Sequence, residues 1–506
     1  MDKITHAEVR MYRMGTGDCF IIKMFKGTDN TFTMMIDCGT WKGSKEHLEP
    51  YIKNLKDYIR EGRTAEPATI DLLVVTHEHL DHVSVFKSCK ELFTADFVVK
   101  KIWMGWTEND APTSADDPLG DQLKHWKEEY GQRKKALNVV ADRLNSLMTD
   151  EKAAKKKSPL GLQPDFAVAV DRFAELHFSA RGSEYIGGLA GMEVVKKEIA
   201  TNNIAYVHPG QVISNPEGAE GIKFYVLGPP TSIDSIKAEG APADEPGETF
   251  SHSQNNKRTD NDSFATAILN LTDPQLLSSI LPFDESFLAD ETMSEYASES
   301  WRKIDYDWLN SAGSLALRMN SATNNLSVAL AIEFADSGRV MLFPGDAEYG
   351  SWKSWHSIKW QAKDRFNDNK PLETKGLLNR TVFYKVAHHL SHNGSAKRLG
   401  VEMMTDPDLV AMATLDYDVI SPGWTSTMPN RDLIADLLLR TKGRLIIMNE
   451  EGLSIDRTPE KQPLKDKILA TRQQFMTSAE STAFHNAFSE GPGEEKLYYQ
   501  YKVNAM

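Results

Sequence analysis

Residues 76–82 read Thr-His-Glu-His-Leu-Asp-His, so His77, His79, Asp81 and His82 place four potential metal ligands within six residues. A loop leaving a strand can turn the alternate residues His77 and His79 toward one ion and Asp81 and His82 toward a second. Imidazoles and carboxylates suit zinc, manganese or iron, and the absence of neighbouring cysteine ligands argues against a closed structural zinc site. Three other stretches end in residues of the same chemistry: Met35-Ile36-Asp37, Phe343-Pro344-Gly345-Asp346 and Val386-Ala387-His388-His389. Each alone fits an ordinary turn cap. Converging together, they point to a metal-dependent hydrolytic centre.

Such a centre needs strands to carry its residues to one place. The first hundred residues read as strands at 8–13, 20–25, 33–36 and 71–75, with a helix over 47–60. Leu72-Leu73-Val74-Val75 is continuously apolar, as for a strand covered on both faces, and it stops abruptly at the histidine cluster. Strand ends of this kind are where α/β proteins place chemistry. Residues 107–198 turn helical and charge-rich, with Leu137, Val140, Leu144, Leu147 and Met148 at helical spacing. The basic run 152–157 then reads as a solvated helix end or loop ahead of a phosphate-binding patch. Strand character returns at 204–207 and 222–227. A polar, acidic stretch over 231–309 reads as a long excursion. Strands resume at 326–334, 340–343, 382–386 and 445–448, with a helix at 431–439, and the tail 497–503 alternates like an edge strand.

Length and composition set the frame. The 506 residues suffice for a large domain with insertions, and 41% hydrophobic with 26% charged residues is the balance of a globular protein. No apolar run approaches the roughly 20 residues that cross a bilayer, and the first residues lack a signal peptide's basic and apolar regions, so a cytoplasmic location without a membrane partner is expected. Cys19, Cys38 and Cys89 are too few and too scattered for a disulfide framework. With a formal charge of −14, attraction to nucleic-acid phosphates would need a local patch.

These motifs resemble the metallo-β-lactamase-fold hydrolases, and among them the ComEC-type competence (DNA-uptake) hydrolase domain and its stand-alone relatives. The resemblance rests on Gly15-Thr16-Gly17-Asp18, Ile36-Asp37-Cys38-Gly39, residues 76–82, Leu227-Gly228-Pro229, Asn324-Asn325-Leu326-Ser327, Gly345-Asp346-Ala347-Glu348 and Lys385-Val386-Ala387-His388-His389. It implies an α/β fold, a four-layer αβ/βα sandwich with a helical insertion and a second polar insertion. The expected division is 1–105 and 313–455 for the two halves of the sandwich and 201–230 for its return strands. Residues 106–200 and 231–312 are the insertions, and 456–506 a C-terminal extension. The resemblance further implies two divalent ions, Zn or Mn. His77 and His79 would hold the first, Asp81 and His82 the second, Asp346 would bridge them, and His388 or His389, or both, would complete the set. Asp37 would support a ligand histidine from behind, and Asp18 would either do the same or cap a turn.

Three departures qualify the match. The histidine often supplied between the Asp-His pair and the bridging Asp has only His125, His177, His208 and His252 as candidates, none with a supporting motif, and His208 reads as a turn residue. The usual His-His-Gly-Ser is replaced by His388-His389-Leu390-Ser391-His392-Asn393-Gly394-Ser395, which brings in His392. A His-Pro expected after the next strand is Met428-Pro429 here, and a thioether is a poor ligand for a hard hydrolytic site.

Two divalent ions about 3.5–4 Å apart hold a bridging hydroxide at neutral pH and clamp the oxygens of a scissile phosphoryl or acyl group. Asp81, Asp346 and His389 would then carry the catalysis. The resemblance favours a phosphoester substrate, such as a nucleic acid, a nucleotide or a related phosphodiester. Lactones, lactams and thioesters are hydrolysed on the same scaffold. A different reading makes the chain a partner-binding or regulatory subunit with an altered or vestigial site, its insertions contacting another protein. Trp103, Trp106 and Trp126 could stack on bases, but packing of the helical insertion is the stronger expectation.

Overall fold

The computed structural model describes residues 3–41, 43–61, 67–110, 119–128, 130–131, 180–181, 184–185, 188–238, 240–241, 247–250, 322–416, 428–448, 464–492 and 496–506. The helical spacing expected at 137–148, the basic run 152–157, His177, His252 and most of the acidic stretch 231–309 lie outside these residues.

Among the described residues two large sheets face one another. The first is built from β1 (His6–Tyr12), β2 (Phe20–Lys26), β3 (Asp29–Ile36), β4 (Leu72–Val74), β5 (Ile102–Gly105) and β6 (Ile204–Val207). The second runs through β7 (Val212–Ser214), β8 (Ile222–Val226), β9 (Leu330–Phe334), β10 (Val340–Phe343), β11 (Thr381–Lys385), β12 (Val410–Ala413) and β13 (Leu445–Ile447). The chain then returns to the first sheet as β14 (Phe488–Glu490) and β15 (Tyr498–Asn504), giving the order β6-β5-β4-β3-β2-β1-β15-β14. The tail is therefore an interior strand. It pairs antiparallel with β1 from His6↔Asn504 to Tyr12↔Tyr498, while β14 covers its other side.

Each sheet is half antiparallel and half parallel. β1, β2 and β3 alternate in direction, whereas β3, β4, β5 and β6 run parallel. In the second sheet β7 to β10 are antiparallel and β10 to β13 parallel. Parallel neighbours need crossover helices on the outer face, and that requirement makes their strands buried on both sides. Helix α1 (Lys45–Arg60) supplies the crossover from β3 to β4. It starts at Ser44, whose side chain accepts from the His47 amide, and buries Leu48, Ile52, Leu55 and Ile59 on one face.

Three cores follow from this arrangement. Val9, Phe20, Ile22, Met34 and Val74 meet Phe224, Ile332, Met341, Phe343 and Phe383 between the sheets. Outside the first sheet, Ile21, Leu73 and Ile102 pack under the α1 residues and under Val83 and Phe86. Outside the second, Leu342, Tyr384 and Ala411 pack under Trp352, Trp355, Leu433 and Leu437. Helix, sheet, sheet and helix thus form four layers, the αβ/βα sandwich expected from the motifs. Among the described residues no helix is long and apolar enough to cross a membrane.

Candidate metal centre

The carboxyl ends of the parallel strands in both sheets open on the same cleft. β3 ends at Asp37, β4 at the 76–82 loop, β10 at Asp346, β11 at His388 and His389, and β12 at Thr414. After β4 the chain passes His77, reaches His79 in extended conformation and enters helix α2 (Leu80–Ser88). His79 is the residue before that helix, yet its side chain makes no cap bond. Asp81 and His82 occupy the first turn. The loop is pressed against the β3 end: a Cβ on Gly39 would stand 2.2 Å from the Asp81 carbonyl carbon and 2.3 Å from the His82 nitrogen. Only glycine leaves that approach open.

The side chains fall into two sets. His77 Nε2 and His79 Nδ1 lie 3.0 Å apart. Asp81, His82, Asp346 and His389 gather in a second, fully buried group whose ligand atoms all lie within 4.8 Å of one another. In that group Asp346 Oδ2 is 3.1 Å from both His82 Nε2 and His389 Nε2, and Asp81 Oδ2 is 2.9 Å from His389 Nε2. Zinc bonds of about 2.0–2.1 Å in a tetrahedron put ligand atoms roughly 3.3 Å from each other. The separations of 2.9–3.1 Å come close to that spacing, while His82 Nε2 and Asp81 Oδ1 stand 4.0 Å apart.

Tautomers are fixed from behind. Asp37 takes the Thr76 amide at 2.7 Å, the Thr76 hydroxyl at 2.6 Å and His82 Nδ1 at 2.7 Å, so the His82 ring presents Nε2 to the group. His77 Nδ1 lies 3.1 Å from the same Thr76 hydroxyl, whose proton is committed to Asp37, leaving Nε2 as the acceptor. His389 Nδ1 lies 3.0 Å from the Thr414 carbonyl and 2.9 Å from its hydroxyl. Asp18 neither caps a simple turn nor touches a ring within hydrogen-bonding distance. It accepts the Thr414 hydroxyl at 2.6 Å and pairs with Lys385 Nζ at 2.6 Å.

His388 departs from the expected pairing with His389. It lies outside the four-residue group, with Nε2 3.4 Å from Asn324 Nδ2 and Nδ1 3.5 Å from Glu348 Oε1. The reason is backbone geometry: His388, His389 and Leu390 are all left-handed, at φ of +47°, +48° and +65°, and successive side chains in that turn diverge. His392 bonds only locally, to the Ser391 hydroxyl at 3.5 Å, and is not in the group. His125 is exposed, and His208 sits in a turn, its amide bonded to Gln211. Met428 is buried in the outer core.

Charge divides the imidazoles. Burial pushes His77 well below its ordinary value, lowers His79, and lowers His388 to about 4, so all three are neutral at pH 7. Burial opposes the charge on His82 and His389 as well. There, however, Asp346 and Asp81 outweigh it, holding His82 well above its ordinary value and His389 at about 10. The partners move the other way: burial raises the Asp81 and Asp346 carboxyls, but His82, His389 and, for Asp346, Lys385 pull both below the carboxylate range.

This arrangement fits a divalent cation. The buried Nε2 of His79 has no hydrogen-bond partner, and the Nε2 atoms of His82 and His389 face the carboxylate oxygens of Asp81 and Asp346 at 2.9–3.1 Å, so nitrogen and oxygen donors converge on one buried point. Two carboxylates and imidazole nitrogens at ligand spacing form a mixed N/O donor set suited to zinc or manganese.

Residues 13–140 match the metallo-beta-lactamase superfamily model. No curated protein matches the chain. The matched segment carries the 76–82 loop and Asp37, while the fold brings Asp346 and His389 to it from the second sheet. That match, the layered fold and the buried cluster agree with a metal-dependent hydrolase.

Several residues at the centre had no role assigned from sequence. Lys385, Asn324 and Glu348 were present only as motif letters, and Thr414 did not figure in the sequence reading. The tryptophans pack: Trp103 meets Phe224 edge-on, the Trp106 indole donates to the Pro229 carbonyl, and Trp126 stacks on Tyr130.

Proposed function

We propose that the protein hydrolyses a phosphoester with two divalent ions, Zn or Mn. In this reading His77 and His79 hold the first, Asp81, His82 and His389 the second, and Asp346 lies between them. The observation that carries the proposal is the convergence of strand ends from both sheets on one buried group of two imidazoles and two carboxylates at ligand spacing. Bound divalent ions lower the pKa of water at the site and polarise the scissile bond. Preference for a phosphoester over a lactam, lactone or thioester rests on the motif resemblance to the ComEC-type domain, since the metals serve all of these. Three free, buried cysteines suit work in the reducing cytosol.

The chain's own residues supply orientation and proton handling. Asp37 and Thr414 hold the rings of His82 and His389 with Nε2 forward. Asp81 and Asp346 fix the centre's charge. His388, neutral and just outside the group, would accept the proton released by the attacking water at Nε2, its Nδ1–H turned to the Glu348 carboxylate, which stabilises the resulting cation.

Metal-stripped protein should regain hydrolysis of bis(p-nitrophenyl) phosphate with Zn²⁺ or Mn²⁺, two ions per chain by elemental analysis, and turn over lactam, lactone and thioester probes far more slowly. His79→Ala and Asp346→Asn should lose metal and lower the rate by about a hundredfold or more, the scale of deleting a group that stabilises transition-state charge. Retention of full metal content and activity by His79→Ala refutes the assignment. Wild-type protein that binds no metal and turns over none of the probes would instead be a partner-binding module.

A further inference from the structure

Lys385 is an ammonium at the bottom of the centre, its side chain only 2% exposed. A charge buried this deeply persists only when paired and hydrogen-bonded. An ammonium has three donors, and three acceptors surround this one: the Gly345 carbonyl at 3.0 Å, Asp346 Oδ1 at 3.1 Å and Asp18 Oδ2 at 2.6 Å. None of its donors is left over.

The two carboxylates it holds lead to two different members of the metal group. Asp346 turns Oδ1 to Lys385 and Oδ2 to the Nε2 atoms of His82 and His389. Asp18 gives its other oxygen to the Thr414 hydroxyl, which lies 2.9 Å from His389 Nδ1. Asp346 comes from the β10 loop and His389 from the β11 loop. One ammonium therefore sets the orientation of both. Hydrogen-bond chains of this kind behind metal ligands tune affinity as well as geometry.

We propose that Lys385 is a positioning residue that reserves Oδ1 of Asp346 for the protein, leaves Oδ2 alone to the metal, and through Asp18 and Thr414 aims His389 at the same ion. The assignment rests on the two-metal reading above and adds to it a residue that touches neither ion nor substrate. Arginine does not substitute, because a planar fork cannot meet three acceptors gathered around one point.

The test uses the full-length chain. Wild type is first shown to take up Co²⁺ or Zn²⁺, so a failure at that step belongs to the metal reading itself. Lys385→Met should keep its circular dichroism spectrum, bind metal roughly 10–100-fold more weakly by chelator competition, and show a Co²⁺ absorption band of lower intensity as Asp346 gains a second ligating oxygen. Its kcat should fall with KM little changed. Lys385→Arg should not rescue it.

If Lys385→Met folds poorly because Asp18 is left buried and charged, the double variant Lys385→Met/Asp18→Asn removes both charges and keeps the question open to measurement. Positioning requires the double variant to remain weak in metal binding and altered in its Co²⁺ spectrum. Wild-type affinity and spectrum in either variant overturn the proposal, the double variant's recovery reducing Lys385 to a counter-charge. Thr414→Val should shift the Co²⁺ spectrum in the same sense and Thr414→Ser should restore it; an unchanged Thr414→Val spectrum removes the Asp18 branch.

Discussion

At the scale of single residues, the centre depends on atoms that face away from it. Asp37 makes three hydrogen bonds, two to Thr76 and one to His82, and so couples the start of the loop to the ring at its end. Asp37→Asn keeps the size but turns one acceptor into a donor, leaving His82 Nδ1 or the Thr76 hydroxyl without its acceptor. Metal affinity should drop by about 10–100-fold while the chain stays folded; isothermal titration with Zn²⁺ measures it, and an unchanged isotherm would mean that His82 does not bind through Nε2. Residue types were legible at this scale because His, Asp and Lys are rare as buried groups and cluster only for a reason. Their division of labour was not. His388 and His389 are neighbours in sequence, and only the left-handed backbone separates one from the other. Lys385 sits in a strand whose other residues are Thr, Val, Phe and Tyr, and nothing in that spacing says which face meets Asp18.

At the scale of elements, the 76–82 loop is clamped from both sides. A short helix, α3 (Gly188–Val194), packs along α2 with Gly188 against the loop and Gly191 against the helix. A Cβ would stand 1.9 Å from the Glu78 carbonyl at the first position and 2.2 Å from the Val83 carbonyl at the second. Gly191→Val must push the two helices apart. Overpacking of this kind costs about 1–3 kcal/mol, and because Asp81 and His82 ride on α2, metal binding should weaken together with stability. Urea denaturation with and without Zn²⁺ checks both, and loss of stability with metal affinity intact would show that the clamp does not set the loop. The left-handed run at 388–390 is a different expense. Strain of roughly 1–2 kcal/mol per residue is tolerated where Leu390, fully buried in the outer core, locks the turn by packing. Strand positions such as 204–207 and 340–343 were legible to the residue, because continuous apolar runs bounded by polar turns are what parallel strands under helices require. The tail was misread as an edge because alternation reports which faces are covered and says nothing of neighbours along the sheet.

At the scale of the molecule, binding at a centre that joins both sheets is also binding to the folded state alone, so ligation and global stability are linked. Thermal unfolding of the metal-loaded protein should fall by several degrees on chelation, by an amount that grows with the free metal concentration used; a midpoint indifferent to metal would place the ions, if bound, outside the sandwich core. The reach of that linkage is visible in one contact: the hydrogen bond from Thr414 to Asp18 joins residues 396 positions apart. In a chain made from its amino end, at about 5–20 residues per second, the 76–82 loop emerges long before Lys385, His389 and Thr414 exist, and β1 waits for β15 as an open strand edge. Ions captured early would meet half a site. Loading would therefore wait for the second sheet, and metal content would become a certificate that the chain has been laid down through β12 and Thr414.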